Sequence, residues 1–484
     1  MRRPTVPSPP EGRPSRTAGR HLLRAAAIAA VGWAAGPLAA ASAAAPAVAL
    51  RGGEPAAATT VCGERVTPRR VAVGDALRVA VAPASSARTR RERRRAGVLV
   101  ERCVEGTWRR ERTVRLGARR GPLETRLSTA VDADVRVRTR LANGTLGAPS
   151  HVRVGVGEIV DVPVTLEVVN RNRTAIPCLG APDGRRYRVH GSVVAPRAVL
   201  DAPKPAITVY VHGLGYAGWF FRFGDVPGYD YGRQQARAGH ASLVLDRLGN
   251  PAHDELPDGS ATCIPAQADM VDQVIGALRR GTVTGVPGAP RFSRVLLAGH
   301  SLGGFITQVA QYSFGSADAI AVIGYTDVPS VLALAQFADA GAQCLTGPQR
   351  SRGSSGAPNY ASFGRTDADF AAAHFHDLDP TVRRIALQRH NRDPCGDLLS
   401  ALQALAVDQL GTRLGITSPV LVISGANDAL FTPPTNRLQA ATAYPRSPDV
   451  QLVELPRTGH AVTLGRSHEA FRAAMDRWLA QHGG

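Results

Sequence analysis

The hydrophobic positions of the chain follow two different periods, one on each side of Cys178. Between about residues 60 and 165, apolar and polar residues alternate in runs such as RVAVGDALRVAVAP and DVRVRTRL, with Gly, Asn and Pro between the runs. A period of two with frequent turns is typical of half-buried β-strands. Residues 61–165 are therefore predicted to form a small all-β sandwich domain.

After Cys178 the apolar runs become short and nearly continuous, as in AITVYVHG, ASLVLD, RVLLAGHS, AIAVIGYTD and PVLVISGAND. Strands that are buried on both faces of a parallel sheet have this composition. Helical patterns such as AQADMVDQVIGALRRG alternate with them, so residues 166–484 are predicted to form a mostly parallel, doubly wound α/β sheet. Between about 328 and 414 no strand run occurs, and helical spacing predicts a cap insertion over the sheet.

The first 45 residues have the pattern of an export signal. Arg20 and Arg24 precede an Ala-rich apolar run, and Ala41-Ser42-Ala43 fits a small-residue cleavage site. A disordered tail or a weak membrane anchor is the alternative, although Pro37 disfavours a stable membrane-spanning helix. Residues 46–60 are rich in Ala and contain Pro, and are predicted to be a linker. The mature protein is expected to be secreted or extracytoplasmic.

An even number of cysteines in an exported chain suggests a set of disulfides. Pairing neighbours along the chain gives one bridge within each predicted region and is the preferred connectivity. No Cys or His spacing typical of a zinc site occurs. The six cysteines are Cys62, Cys103, Cys178, Cys263, Cys344 and Cys395.

The formal net charge is +19, and +12 of it falls in residues 61–150. A solvated basic face on the β-module is the simplest interpretation, and an acidic cell-surface polymer as partner is the alternative. No known nucleic-acid-binding motif accompanies the charge, so nucleic acid is not expected as a partner. The oligomeric state is left open.

The stretch GHSLGG places Ser301 between a predicted buried strand and a predicted helix. A serine at such a junction must occupy a tight, strained turn, so that its hydroxyl points above the edge of the sheet. Gly299 and Gly303 fit this interpretation, because larger side chains there would collide with the neighbouring strand and helix. The start of the helix also favours developing negative charge.

Three further motifs follow predicted strands. His212-Gly213-Leu214-Gly215 ends an early strand, Asp428 follows a late one, and His460 follows the last. The order serine, acid, histidine is the order described for hydrolases of this topology. We therefore expect these loops to meet at one edge of the sheet.

On these motifs, the chain from about Arg185 to its C-terminus resembles the α/β-hydrolase family, specifically its serine esterase and lipase-like members. The resemblance implies that Ser301 is the nucleophile, Asp428 the acid and His460 the base. It also implies that the main-chain N–H groups of Leu302 and Leu214 form the oxyanion hole. It implies neither a metal ion nor an organic cofactor.

Several alternatives remain open at the level of the sequence. Asp327 is a rival acid and His468 a rival base. His300 is expected to be structural, and His212 to shape its loop. The segment His374-Phe375-His376-Asp377 has the composition of a metal cluster but lacks a fourth ligand.

The substrate pocket is predicted near the early glycine loop. Its candidates are His212, Gly213, Trp219 and Phe220. The two aromatic residues either line an acyl pocket or simply pack in the core.

The sequence thus predicts an exported serine hydrolase that cleaves carboxylic esters, small or lipid-like, through an acyl-enzyme. A peptidase or amidase with the same triad is the nearest alternative, and a cofactor-free haloperoxidase or lyase is more distant. A non-catalytic surface-binding protein that uses the basic β-module belongs to a different class.

Overall fold

The computed structural model describes residues 48–483, except 52–53, 56–57, 73–76, 82–96, 105, 116–122, 128–132, 141–143, 156, 179, 181, 251–255, 354 and 410–411. The predicted export signal, residues 1–45, lies outside the described residues. Within them, no helix combines the length and the hydropathy needed to cross a membrane.

The N-terminal region is built from β-strands, as predicted. Six strands form one sheet in the order β2-β5-β11-β10-β7-β8, three form a second in the order β1-β6-β9, and β3 and β4 pair separately. Strand β1 contacts β10 and β11, so the two larger sheets lie against each other. The strands are β1 (Val48–Arg51), β2 (Glu54–Pro55), β3 (Thr59–Val61), β4 (Glu64–Val66), β5 (Arg69–Ala72), β6 (Leu77–Val81), β7 (Gly97–Val104), β8 (Thr107–Arg115), β9 (Leu123–Leu127), β10 (Ala133–Arg140) and β11 (Ser150–Gly155).

The structure differs from two predicted boundaries. Residues 46–60 are not simply a linker, because β1 pairs with β6 and β2 pairs with β5 within that range. The partners lie further along the chain, so local composition gives no sign of the pairing. The boundary at 165 falls inside β12 (Ile159–Val169), which pairs with the next strand over its whole length. Its alternating pattern continues that of the preceding strands and conceals the change of sheet.

Eight strands form the central sheet of the second region, in the order β12-β13-β15-β14-β16-β17-β20-β21. The pairs β12–β13 and β13–β15 are antiparallel, and the remaining pairs are parallel. The carboxyl ends of the parallel strands therefore meet at one edge. The further strands are β13 (Arg186–Pro196), β14 (Ala206–Val211), β15 (Ser242–Leu245), β16 (Arg294–His300), β17 (Ala319–Ile323), β18 (Tyr360–Ala361), β19 (Asp393–Pro394), β20 (Val420–Gly425) and β21 (Val450–Leu455).

Helices cover both faces of this sheet. Successive residues of one strand enter opposite cores: Val209 and Val211 pack with α3 and α4, and Tyr210 packs with α2 and α10. This burial on both faces explains the continuous apolar runs of the sequence. The helices are α1 (Arg197–Leu200), α2 (Tyr231–Arg237), α3 (Ile264–Arg280), α4 (Leu302–Phe314), α5 (Val331–Thr346), α6 (Asp367–His374), α7 (Pro380–Gln388), α8 (Cys395–Asp408), α9 (Thr435–Thr442) and α10 (His468–His482).

A helical cap insertion of α5 to α8 lies between β17 and β20, as predicted, and it also contains the short pair β18–β19. The insertion contacts the core at a tight seam. The Gly396 N–H donates to the Gly259 carbonyl at 2.9 Å, and a Cβ on Gly396 would lie 1.9 Å from the Thr262 carbonyl oxygen. On the other side, a Cβ on Gly259 would lie 2.1 Å from the Asn359 carbonyl oxygen.

The cysteines pair as neighbours along the chain, as predicted, with Cα–Cα separations of 5.6–5.9 Å. Cys178–Cys263 joins the chain before β13 to the start of α3. Cys344–Cys395 joins α5 to α8. The remaining bridge, Cys62–Cys103, lies within the N-terminal strands.

Candidate active site

Ser301 occupies the turn between β16 and α4, in the strained conformation that the sequence predicts. Its φ is 54° and its ψ is −124°, and its N–H donates to the Ile323 carbonyl at 2.8 Å. The flanking glycines have no space for a side chain. A Cβ on Gly299 would lie 1.9 Å from the Gly303 carbonyl oxygen, and one on Gly303 would lie 2.2 Å from that of Val211. A backbone outlier enforced in this way is characteristic of functional positions.

The loop after β14 passes directly beside the serine. A Cβ on Gly213 would lie 2.6 Å from the Ser301 Cβ, so only glycine permits this approach. Leu214 and Leu302 both border the cavity that Ser301 lines. Because Leu302 is the first residue of α4, its N–H has no acceptor within the helix. Two main-chain segments thus converge on the hydroxyl.

His212 shapes this loop. Its Nε2 accepts from the Arg247 N–H at 3.2 Å, which leaves Nδ1–H to donate to the Gly213 carbonyl at 2.9 Å. Burial, aided by the Arg247 charge, lowers the pKa of His212 well below its ordinary value. The imidazole is therefore neutral and acts as a structural donor, as the sequence predicts.

Asp428 and His460 form a buried pair at the ends of β20 and β21. His460 Nδ1–H donates to Asp428 Oδ2 at 2.9 Å, while Asp428 Oδ1 accepts from the main-chain N–H groups of Leu430 and Phe431 at 2.9 and 3.0 Å. Both side chains are fully buried. His460 Nε2 has no hydrogen-bond partner among the described residues. An imidazole held in this way presents an acceptor nitrogen for a proton.

Two contacts connect this pair to the serine turn. His300, which precedes Ser301, donates from Nε2 to the His460 carbonyl at 2.9 Å, and the two rings lie 4.7 Å apart between centroids. Phe431 lines the Ser301 cavity, and its ring centroid lies 5.8 Å from that of His460. His300 is structural, as expected, but it acts through a specific hydrogen bond rather than by filling space alone.

The rival acid and base make other contacts. The Asp327 carboxylate accepts from the Gln308 amide at 3.0 Å, within a buried cluster that also contains Gln439. His468 stacks on Tyr229 and donates from Nδ1 to the Gly465 carbonyl at 3.0 Å. The structure therefore pairs His460 with Asp428.

The aromatic pocket candidates pack in the core instead. Phe220 is fully buried and stacks on His300, with centroids 4.2 Å apart, and Trp219 packs against Tyr216 and Phe223. Of the predicted pocket candidates His212, Gly213, Trp219 and Phe220, none borders the cavity beside Ser301.

The wall of that cavity is almost entirely apolar, and the empty space along it, counted together with space open to solvent, is about 460 Å³. The cap supplies much of its wall, which the sequence did not reveal, because these side chains come from helices far apart in the chain. The lining residues are Leu214, Ser301, Leu302, Phe305, Tyr325, Pro329, Ala333, Phe337, Phe363, Ala401, Leu402, Leu405, Leu430 and Phe431.

His374, in the segment with the composition of a metal cluster, makes hydrogen-bond and ring contacts within the protein. His374 Nδ1 shares a hydrogen bond of 2.9 Å with the Tyr216 hydroxyl, and its ring stacks on Phe370. Across the described part of the chain, no three His, Cys, Asp or Glu side chains are grouped as metal ligands would be.

The chain is similar to one protein family and to several solved structures. The model of the Alpha/beta hydrolase family matches residues 208–474. An esterase from Thermogutta terrifontis has 16% identity and a TM-score of 0.45, over 66% of this chain and 99% of its own. An enol-lactonase from Burkholderia xenovorans LB400 has 17% identity and a TM-score of 0.44, over 61% and 97%. No protein with a curated description matches significantly.

Proposed function

Because the chain belongs to the alpha/beta hydrolase family, we propose that it is an exported serine hydrolase that cleaves carboxylic esters with an apolar acyl group. The observation that carries the proposal is the buried, hydrogen-bonded pair of His460 and Asp428. The Nε2 atom of His460 has no hydrogen-bond partner among the described residues, and the pair lies at the strand edge that carries Ser301. Ser301, His460 and Asp428 are the proposed nucleophile, base and orienting acid.

In the proposed reaction, His460 Nε2 takes the proton of the Ser301 hydroxyl while Oγ bonds to the ester carbonyl carbon. The negative charge that develops on the carbonyl oxygen is stabilised by the N–H groups of Leu214 and Leu302. The bond to the alcohol oxygen then breaks, and that oxygen receives the proton from His460. Water attacks the acyl-serine by the same route, which releases the carboxylic acid and restores the serine.

The cavity supports the choice of an apolar acyl group. Its wall consists of aliphatic and aromatic side chains, with Ser301 at one side. Such a surface favours hydrocarbon through the hydrophobic effect and gives few partners to the polar groups of a peptide.

Export is proposed on the Ala-rich leader and on the pairing of all six cysteines, because disulfides persist in oxidising compartments.

Covalent labelling with a fluorophosphonate probe and turnover of aryl esters test the proposal. Ser301→Ala should lose labelling and lower kcat/KM by about 10⁴-fold or more. Ser316→Ala, just beyond the end of α4, is the matched control and should retain both. Retained labelling in the Ser301 variant would contradict the assignment. Faster turnover of matched amides than of esters would instead favour an amidase.

A further inference from the structure

A buried ionic cluster connects the cap insertion to the core near Ser301. The Arg247 guanidinium donates to Asp397 Oδ2 at 2.6 Å and to Asp393 Oδ1 at 3.0 Å. The three side chains are at most 3% exposed. Burying three charges has a free-energy cost that their mutual attraction does not reliably offset. Such a cluster therefore suggests a role besides stability.

The second oxygen of Asp393 reaches the loop beside the serine. Asp393 Oδ2 accepts from the Gly215 N–H at 2.7 Å, and the Gly215 carbonyl accepts from the Asn391 N–H at 2.9 Å. A Cβ on Gly215 would lie 2.6 Å from the Phe370 ring. Gly215, the residue that follows Leu214, is thus held by the insertion at both its main-chain N–H and its carbonyl.

The same arginine also holds the loop from the core side. Its own N–H donates to His212 Nε2 at 3.2 Å, and His212 bonds the Gly213 carbonyl. Leu214 therefore lies between two anchored glycines. Arg247 holds Gly213 through His212, and it holds Gly215 through Asp393.

We propose that Asp393 is a positioning residue, by which the cap insertion fixes the Leu214 N–H in the orientation that an oxyanion requires. It acts through Gly215 and does not touch the substrate. The catalytic role of Asp393 rests on the proposed function. The hydrogen bond by which Asp393 holds the Gly215 N–H, which we call the clamp, is a property of the loop and does not depend on that function. An amide that is held in place before the reaction stabilises developing charge without reorganisation.

The surroundings of Asp393 give the clamp a dependence on pH. Burial, partly offset by the Arg247 charge and the Gly215 hydrogen bond, raises the pKa of the carboxyl to about 7. The negative charge of Asp397, across the arginine, contributes to this rise in the pKa. The other titratable groups nearby, His212 and His390, have pKa values lowered by burial and are neutral. Protonation therefore weakens the clamp as the pH falls below about 7.

Amide hydrogen exchange of the full-length protein tests the clamp directly. In Asp393→Asn, one amide oxygen cannot accept from both Arg247 and Gly215, so exchange of the peptide covering residues 212–217 should be about tenfold faster at pH 8. Asp397→Asn keeps the bond to Gly215 and should stay within about twofold of wild type. Asp269→Asn removes a buried carboxylate that binds Arg173 away from the site and is the second control.

Kinetics give the second readout. Asp393→Asn should lower kcat on an aryl ester by about tenfold with KM within about twofold, and should remove the fall in kcat between pH 8 and 6 that Asp393 causes. Should the asparagine variant not fold, Asp393→Ser replaces it. Loop exchange at the wild-type rate, or equal acceleration in Asp397→Asn, would overturn the proposal. If the wild-type protein showed neither ester turnover nor labelling at Ser301, the proposed function would be refuted. Hydrogen exchange of residues 212–217 would still show whether Asp393 holds the loop.

Discussion

His460 is held by contacts that leave a single ring nitrogen available. Asp428 accepts from Nδ1, His300 donates to the His460 carbonyl, and the Phe431 ring lies near the imidazole. Asp428 and Phe431 lie in the loop after β20, and His300 ends β16. The orientation of Nε2 is therefore set by the fold before any substrate is present, which is the condition for efficient proton transfer.

The buried carboxyl of Asp393 makes the stability of the protein depend on pH in a defined direction. Its pKa is about 7 in the folded protein against 3.8 for an ordinary aspartate. Between those values the folded chain holds a proton that the unfolded chain has released. The contribution of Asp393 to the free energy of unfolding is therefore largest below about pH 4 and declines up to about pH 7, by at most about 1.4 kcal/mol per pH unit.

Urea unfolding of wild type and Asp393→Asn between pH 5 and 8 measures this contribution. The free energy of unfolding of wild type minus that of the variant should fall as the pH rises, and should level off above pH 7. A difference that stays constant over this range would contradict the prediction.

At the scale of elements, the two cap helices α5 and α8 each contribute one face to the wall of the cavity. Ala333 and Phe337 lie four residues apart on α5, and Ala401 and Leu405 lie four apart on α8. This spacing places each pair on one helix face. The Cys344–Cys395 bridge ties the two helices together. The width of the cavity is therefore set by side-chain size on these faces.

Ala401→Leu should shorten the acyl chains that the protein accepts. The larger side chain fills space beside the serine, so kcat/KM for octanoate esters should fall about tenfold relative to acetate esters. Ala406→Leu, on the exposed face of the same helix, is the matched control and should leave the ratio unchanged. A chain-length series of aryl esters measures both. Equal losses for acetate and octanoate in Ala401→Leu would contradict this assignment of the acyl site.

The elements of the α/β sheet could be predicted because their signals are local. The run before Ser301 and the glycines around it identify the strand, the turn and the helix within a short stretch of sequence. The cavity wall and the partners of Arg247 could not be predicted, because Asp393 and Asp397 lie about 150 residues further along the chain. The prediction that residues 46–60 form a linker was wrong for the same reason, because β1 pairs with β6, which lies further along the chain.

At the scale of the whole molecule, the disulfides and the predicted export signal lead to a joint expectation about location. Each bridge joins segments at least 41 residues apart, so all three constrain the unfolded chain. When expressed with its leader in a bacterial host, the protein should be recovered outside the cytoplasm, with its N-terminus close to residue 44 and no titratable thiol. N-terminal sequencing and thiol titration measure this. Recovery in the cytoplasm with Met1 intact would contradict export.

The seam at Gly396 limits how the insertion could be exchanged between proteins of this family. Main-chain atoms of residues 259–262 leave no room for a side chain, so a foreign insertion needs glycine at the matching position or must bring its own docking segment. Cys178–Cys263 in turn fastens that segment to the chain ahead of β13. Recombination points that preserve the packing therefore lie before Cys178, not at the two ends of the insertion.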